Sequence, residues 1–168
     1  ETLAGISPTE GPSLTYININ FSVYDAEGFT NLNDSSASVN LTKSGEESRY
    51  NFSCSKYESS GNYANYTCNV TMYWWDGAGA WTINATISDN DKNNATNSSM
   101  AFSLGTTTAV KMGPNALTWN ALASGSYNQT ASNNPILLNN TGNVAITNGN
   151  IKVNATNLRG ETNSALAL

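Results

Sequence analysis

The chain has 168 residues, of which only 11% are charged, no histidine, and a net charge of −5. Its seven Lys plus Arg are scattered singly, so no basic stripe exists to neutralise phosphates, and nucleic acid is set aside as a partner. Hydrophobic residues at 39%, with four Trp, eight Tyr and four Phe, suffice for a packed core, while no run approaches the roughly 18 apolar residues of a membrane span.

The chain opens at Glu1 with neither an initiator Met nor a signal-like apolar segment, as expected of a processed mature chain. Residues 1–7 carry Leu3 and Ile6 and are set apart by Pro8, Gly11 and Pro12, which disfavour continuing regular structure. This stretch is expected to leave the body as a tail able to act as a donated strand; the alternative is an unstructured terminus. Period-two segments follow at 14–24, 37–42, 48–55, 64–74, 80–88 and 100–104, with turn-rich spacers and no helical period of useful length. Short strands at this spacing predict an immunoglobulin-like antiparallel β-sandwich ending near Leu104.

Gly105 and Thr106–Thr108 lead into a second set of short segments at 109–112, 117–122, 127–130, 135–139 and 144–157, thin for a complete sandwich. The expectation is an all-β chain of two immunoglobulin-like antiparallel β-sandwich domains: a tail over 1–12, a first sandwich over 13–104 and a smaller one over 105–168. A sandwich missing a strand exposes an unpaired edge and a slice of core. Either the chain's own apolar end, with Leu166 and Leu168, or a neighbour's tail is expected to complete the second unit. Strand addition between unlike surfaces, repeated, gives a filament rather than a closed dimer.

Asn-x-Ser/Thr triplets without proline begin at Asn20, Asn33, Asn40, Asn51, Asn65, Asn69, Asn84, Asn94, Asn97, Asn128, Asn139 and Asn154. Chance pairing of 27 Asn with 39 Ser plus Thr would give about six, half of what is present. Successive side chains of a strand alternate faces, and a glycosylated Asn must face solvent. Burying Ile17, Ile19, Phe21 and Val23 turns Asn20 outward, and Val39 with Leu41 does the same for Asn40. Tyr50, Phe52 and Cys54 bracket Asn51; Tyr66, Cys68, Val70 and Met72 leave Asn65 and Asn69 opposite; Trp81, Ile83, Ala85 and Ile87 leave Asn84 opposite; Val153 and Ala155 bracket Asn154. Covalent N-glycans are therefore expected, and no cofactor or metal. The alternative is an Asn-rich chain whose triplets go unused.

Cys54 and Cys68 share the inward phase of two neighbouring strands joined through a turn with Glu58, Ser59, Ser60 and Gly61, which predicts a cross-strand disulfide. Closing a loop of about 15 residues is worth about 3 kcal/mol in the chain-entropy model. A metal site lacks Cys-x-x-Cys spacing and histidine.

Enzyme chemistry is not expected: without histidine there is no conventional triad, and neither a phosphate loop nor a Gly-x-Ser-x-Gly elbow is present. Asp89 and Asp91 are spaced like the start of a calcium loop, yet the terminal Glu is missing, and a solvated turn is the better reading; Asp25 and Glu27 are read likewise. Lys111 and Lys152 fall on outward phases, which argues against a buried isopeptide crosslink. Of the aromatic cluster Tyr73, Trp74, Trp75 and Trp81, strand phase sends Trp74 inward and leaves Trp75 exposed; core packing with a turn is the better reading, and a single sugar platform at Trp75 is the alternative.

The run Tyr73–Asn84, followed by Ser88, Asp89 and the Asn-rich stretch 90–97, resembles the penultimate-hairpin pattern of secreted archaeal surface domains. Asn139–Asn143 and Asn154–Leu158 resemble it too, so that the likeness covers about half of the chain. The resemblance implies an extracellular, N-glycosylated β-sandwich similar to surface-layer-associated proteins and to glycosylated thread-like filaments whose subunits exchange donor strands. No catalytic residues come with that family. The expected function is a structural subunit of a cell-surface filament, forming a head-to-tail polymer with itself; the alternative is an adhesin, binding module or surface-layer component that recognises glycan or protein near Trp75.

Overall fold

Along Tyr63–Met72 the side chains of Ala64, Tyr66, Cys68, Val70 and Met72 are buried and those between them are not, the period of two imposed on a strand covered on one face. The computed structural model, which describes residues 2–154, 158–159 and 165–166, repeats this pattern in two facing sheets. The strands of the first unit are β1 (Thr2–Ile6), β2 (Thr15–Tyr24), β3 (Ser38–Thr42), β4 (Arg49–Asn51), β5 (Ser55–Ser60), β6 (Tyr63–Met72), β7 (Gly79–Ser88) and β8 (Asn94–Leu104). One sheet has the order β1-β8-β7-β3-β4 and the other β2-β6-β5. All pairs are antiparallel except β1 with β8, which run parallel.

Taking β2, β3, β5, β6, β7 and β8 as strands B, C, D, E, F and G reproduces the immunoglobulin order of B-E-D against G-F-C. Between the sheets lie Trp81, Tyr66, Phe102, Ile17, Leu41, Met72 and Leu104, all fully buried. Each such side chain contributes about 1.5–3 kcal/mol over its exposed state, which makes this the energetic centre of the fold. The immunoglobulin order places a first strand beside B, but here β1 joins the other sheet and that place beside β2 is empty among the described residues.

Four expectations about the first unit are corrected. The segment 48–55 is not one strand: β4 stops at Asn51, the chain crosses to the other sheet, and β5 begins at Ser55. Asn51 pairs with the fully buried Val39 and so shares its inward phase, while Tyr50 and Phe52 are 59% and 64% exposed and pack on each other at 4.5 Å. The turn expected around Glu58–Gly61 is tighter and later, at Gly61–Asn62, where Gly61 takes φ +56° and Glu58, Ser59 and Ser60 are strand. The tail does not leave the body: Thr2, Leu3 and Ile6 pair with Ala101, Phe102 and Leu104 of the same chain.

Beyond Leu104 the second sandwich does not form among the described residues. The strands there are a ribbon of β9 (Val110–Gly113) with β10 (Leu137–Asn140) and a two-residue pairing of β11 (Leu158–Arg159) with β12 (Ala165–Leu166). No strand occupies 117–122, 127–130 or 144–154, and Val153, expected inward, is 83% exposed. The physical reason is the absence of a second layer: Val110, Met112, Leu137 and Leu138 on the ribbon and Trp119, Leu122 and Tyr127 on the loops all remain exposed. Leu168 and Ala155 lie outside the described residues.

Candidate functional site

Twelve triplet asparagines define the first feature of the surface. None is buried where described: Asn20, Asn69, Asn94, Asn97, Asn128, Asn139 and Asn154 are exposed, and Asn33, Asn40, Asn51, Asn65 and Asn84 are half-buried. On the β2–β6 ladder Asn20 stands opposite Thr67, Ser22 opposite Asn65 and Asn18 opposite Asn69, so two triplets lie reciprocally across one another. On the other sheet Asn40 faces Asn84, whose Nδ2 donates to the Asn40 carbonyl and to Thr42 Oγ1, both at 3.1 Å. The outer faces of both sheets thus carry triplet asparagines, in the phase alternation implied for Asn20, Asn40, Asn65, Asn69 and Asn84.

Strand phase places two acceptors differently. Asn51 Nδ2 donates to the Asn69 carbonyl at 3.0 Å, tying the two sheets where the chain crosses between them. Asn97 pairs with Ala85, itself the partner of buried Val39, so it shares the inward phase of β8 although it is exposed. Its Oδ1 accepts from the N–H of Ser99 at 2.9 Å and from the Ser99 hydroxyl at 2.7 Å. Asn128, at φ +56°, sits on a loop and Asn139 on β10 beside Lys111.

Asn97 is exposed because the sandwich is open there. A slot of about 400 Å³ runs between β2 and β8, lined by Ile19, Phe21, Val23, Ala85, Ile87 and Met100, among others. Its walls are two strand edges that lack a neighbour among the described residues: β2, paired only with β6, and β8 over Asn94–Ser99, paired only with β7. Burial along β2 falls accordingly, from 1% exposure at Ile17 and 5% at Ile19 to half-buried Phe21 and Val23. Unpaired N–H and C=O groups flanking apolar side chains are the chemistry that accepts an extended strand. Sequence reasoning missed this slot, because no residue in it is unusual.

β1 occupies the lower part of the same β8 edge. Ile6 packs against the core, its carbonyl accepts from Gly105 N–H at 2.6 Å, and a loop with Pro8, Gly11 and Pro12 connects β1 to β2. The junction with the second unit is held by Asn143, which the sequence singled out only within the run Asn139–Asn143 and not for this role. Its Nδ2 donates to the carbonyls of Asp76 (2.9 Å) and Gly105 (3.0 Å), and its Oδ1 accepts from Thr107 N–H (2.6 Å). Thr107 Oγ1 donates to the Pro8 carbonyl at 2.8 Å, so tail, sandwich and ribbon meet here. Only glycine fits at 142, because a Cβ would collide with the Thr107 carbonyl.

Two charged clusters hold the ends of the sandwich. Asp76 is 1% exposed and takes Arg49 Nη2 at 2.7 Å and Nε at 3.1 Å, with Tyr73 N–H at 2.8 Å. The hydrogen bonds to Asp76 hold the Arg49 guanidinium charged above its already high range, against the effect of burial. At the other end Tyr66 donates to Asp34 at 2.6 Å and Lys56 Nζ lies 2.7 Å from Asp34. Desolvation pushes the Asp34 carboxyl up, but the hydrogen bonds from Lys56 and Tyr66 and the Lys56 charge outweigh it and the net shift is downward. Burial raises the Tyr66 phenol, and the Asp34 hydrogen bond and charge raise it further.

Cys54 and Cys68 form the expected disulfide, with Cα atoms 4.6 Å apart, extending the β5–β6 ladder by one pair. Asp89 spends its oxygens on Asn93, accepting from its backbone and side chain, and these bonds hold the carboxyl below the usual range. Among the described residues no group of three or more His, Cys, Asp or Glu could hold a metal ion, and no helix is long and apolar enough to cross a membrane. Lys111 and Lys152 are exposed. Trp74 is half-buried with its Nε1 donating to the Thr141 carbonyl, and Trp75, 47% exposed, stacks on Tyr73 at 4.5 Å. The fold and its single disulfide define an all-β sandwich protein. Comparison with protein-family models, curated proteins and solved structures finds no match for it.

Proposed function

We propose that this chain is a structural subunit of an extracellular, heavily N-glycosylated filament, joined to its copies by β-strand addition. The observation that carries the proposal is the apolar slot between the bare edges of β2 and β8. Its occupant is the N-terminal segment of a second copy. The chain's own β1 already lies along that β8 edge, and it is joined to β2 by a non-strand connection with Pro8, Gly11 and Pro12, so exchange of the segment between copies would exchange its bonds at Ile6 and Pro8 with it. Acceptor asparagines on the outer faces of both sheets, on the ribbon and on the loops fit a coated body with no broad face kept clear for a ligand. The chain acts by assembling, without catalysis, cofactor or nucleic acid.

Electron microscopy of native material tests this. Filaments of uniform repeat that vanish when residues 1–7 are deleted are the expected result; normal filaments from the deleted chain would remove the N-terminal segment as donor, and discrete particles alone would sink the reading.

A second reading, an adhesin or surface-layer component, is favoured by one observation: the exposed Trp75 face stacked on Tyr73, a platform of the kind sugars bind. Quenching of tryptophan fluorescence by soluble oligosaccharides, lost in Trp75→Ala, would support it.

A further inference from the structure

We infer that Asn97 is the triplet the assembled protein leaves bare, because a glycan on Asn97 and a strand in the β2–β8 slot exclude one another. The inference rests on the strand-addition reading and adds a condition to it. Strand register sorts the acceptors of the first unit. Asn65 and Asn69 lie on the outer face of one sheet and Asn40 and Asn84 on that of the other, and none of the four lines the slot; Asn20 borders the slot on the β2 edge, but its strand phase is the outward one of Asn65 and Asn69. Asn94 pairs with Ser88 in the same outward phase, and the hydroxyls of Thr86 and Thr96 beside it bond at 3.1 Å on that face. Asn97 falls on the other phase with Ala95 and Met100, the partners of Ile87 and Ile83, and all five side chains line the slot together with Ala85.

The reversal has a local cause. Between Ile83↔Met100 and Ala85↔Asn97 the register slips, two residues of β8 standing against Asn84 alone, which is a bulge. The triplet Asn97-Ser98-Ser99 makes that bulge, with Asn97 Oδ1 receiving both the backbone N–H and the hydroxyl of Ser99. The amide carbonyl is thereby engaged by Ser99, and the nitrogen that would bear the sugar is the other substituent of the same planar amide, free of that contact. An incoming strand would settle about 4.8 Å from the β8 backbone to make its hydrogen bonds. Its inward side chains would then need the volume directly before Asn97. A pyranose ring on that nitrogen occupies the same part of a slot of about 400 Å³. The first to arrive keeps the other out, so modification of this one asparagine sets the fraction of chains competent to receive a neighbour.

The test is glycopeptide mass spectrometry on assembled and unassembled fractions of native protein from the same cells, with the variant Ser99→Ala beside them. The expected result is loss of the glycan from the Asn97 peptide in the assembled fraction only, while peptides of Asn65 or Asn84 carry glycan in both. Ser99→Ala, which abolishes the triplet and keeps Asn97, is expected to assemble at least as fully as the parent; should it misfold, Asn97→Gln replaces it. Glycan on Asn97 in assembled material at the level of the unassembled fraction overturns the exclusion and leaves strand addition standing. Absence of assemblies in any fraction overturns strand addition itself, and absence of glycan on every acceptor overturns the inference from the other side.

Discussion

Ser22 Oγ donates to Asn65 Oδ1 at 2.5 Å across the β2–β6 ladder, so the hydroxyl of one Asn-x-Ser triplet holds the acceptor amide of another. Ser22→Ala is expected to end modification at Asn20, whose triplet it breaks, and to leave Asn65 an acceptor. An exposed hydrogen bond of this kind contributes about 0.5–1 kcal/mol. Glycopeptide analysis and chemical denaturation of the variant check both parts.

The Cys54–Cys68 bridge restrains a separation of 14 residues at the point where the chain leaves one sheet for the other. Replacing both cysteines by Ala is expected to cost about 3 kcal/mol. The midpoint of denaturant unfolding should fall and the slope should rise, since the unfolded chain without the bridge is less compact and exposes more surface.

Asp76→Asn removes the buried one of two negative partners of the Arg49 guanidinium, whose side chain keeps only 16% exposure, and leaves it the exposed Glu47 at 2.9 Å. Loss of one member of a buried pair is expected to cost about 3 kcal/mol. A hydrophobic replacement of Asp76 alone should be no better, and a melt that moves by less than a degree or two would show the pair to be energetically idle.

Asp34 lies between Tyr66 and Lys56 with its carboxyl net lowered. Lowering means the folded state prefers the ionised form, so this contribution is present above the unfolded carboxyl value and is lost as pH falls through the folded one. The Tyr66 phenol is raised, so its contribution is present below the unfolded tyrosine value and fades as pH rises past it. Asp34→Asn should flatten the acid limb of the stability profile measured by thermal unfolding between neutral pH and the carboxylate range. Asp34 is nearly half exposed, so the effect is small.

How far the sequence could be read depended on strand length. β2, β6 and β7 each run for ten residues, long enough for alternation to declare Asn20, Asn65, Asn69 and Asn84 outward. β4 has three, and its apolar neighbours Tyr50 and Phe52 look inward by hydrophobicity alone, so Asn51 was assigned to the wrong face. At Asn97 a bulge shifts phase within one strand, which no periodicity of side chains announces. The slot is invisible for a deeper reason: whether an edge is bare depends on which strand lies beside it, and the parallel docking of β1 on β8 is a tertiary choice. Asn143 and Asp76 are ordinary polar residues whose weight comes from the backbones gathered around them. The short apolar segments after Leu104 satisfied a strand pattern, yet without an opposing layer most of them stay in loops.

The parallel pairing of β1 with β8 also sets how the chain would bear tension. Thr2 lies level with Ala101 and Ile6 with Leu104, so the amino end of β1 is above and the carboxyl end of β8 is below. A pull between the tail and the ribbon therefore draws the two strands along their own length in opposite directions. Their cross-strand hydrogen bonds are loaded side by side and must yield together, whereas an antiparallel pair pulled from one end would open bond by bond. Under such a load this edge is a shear joint, and the bonds of Thr107 to the Pro8 carbonyl and to Asn143 are the anchor that keeps the load aligned with it.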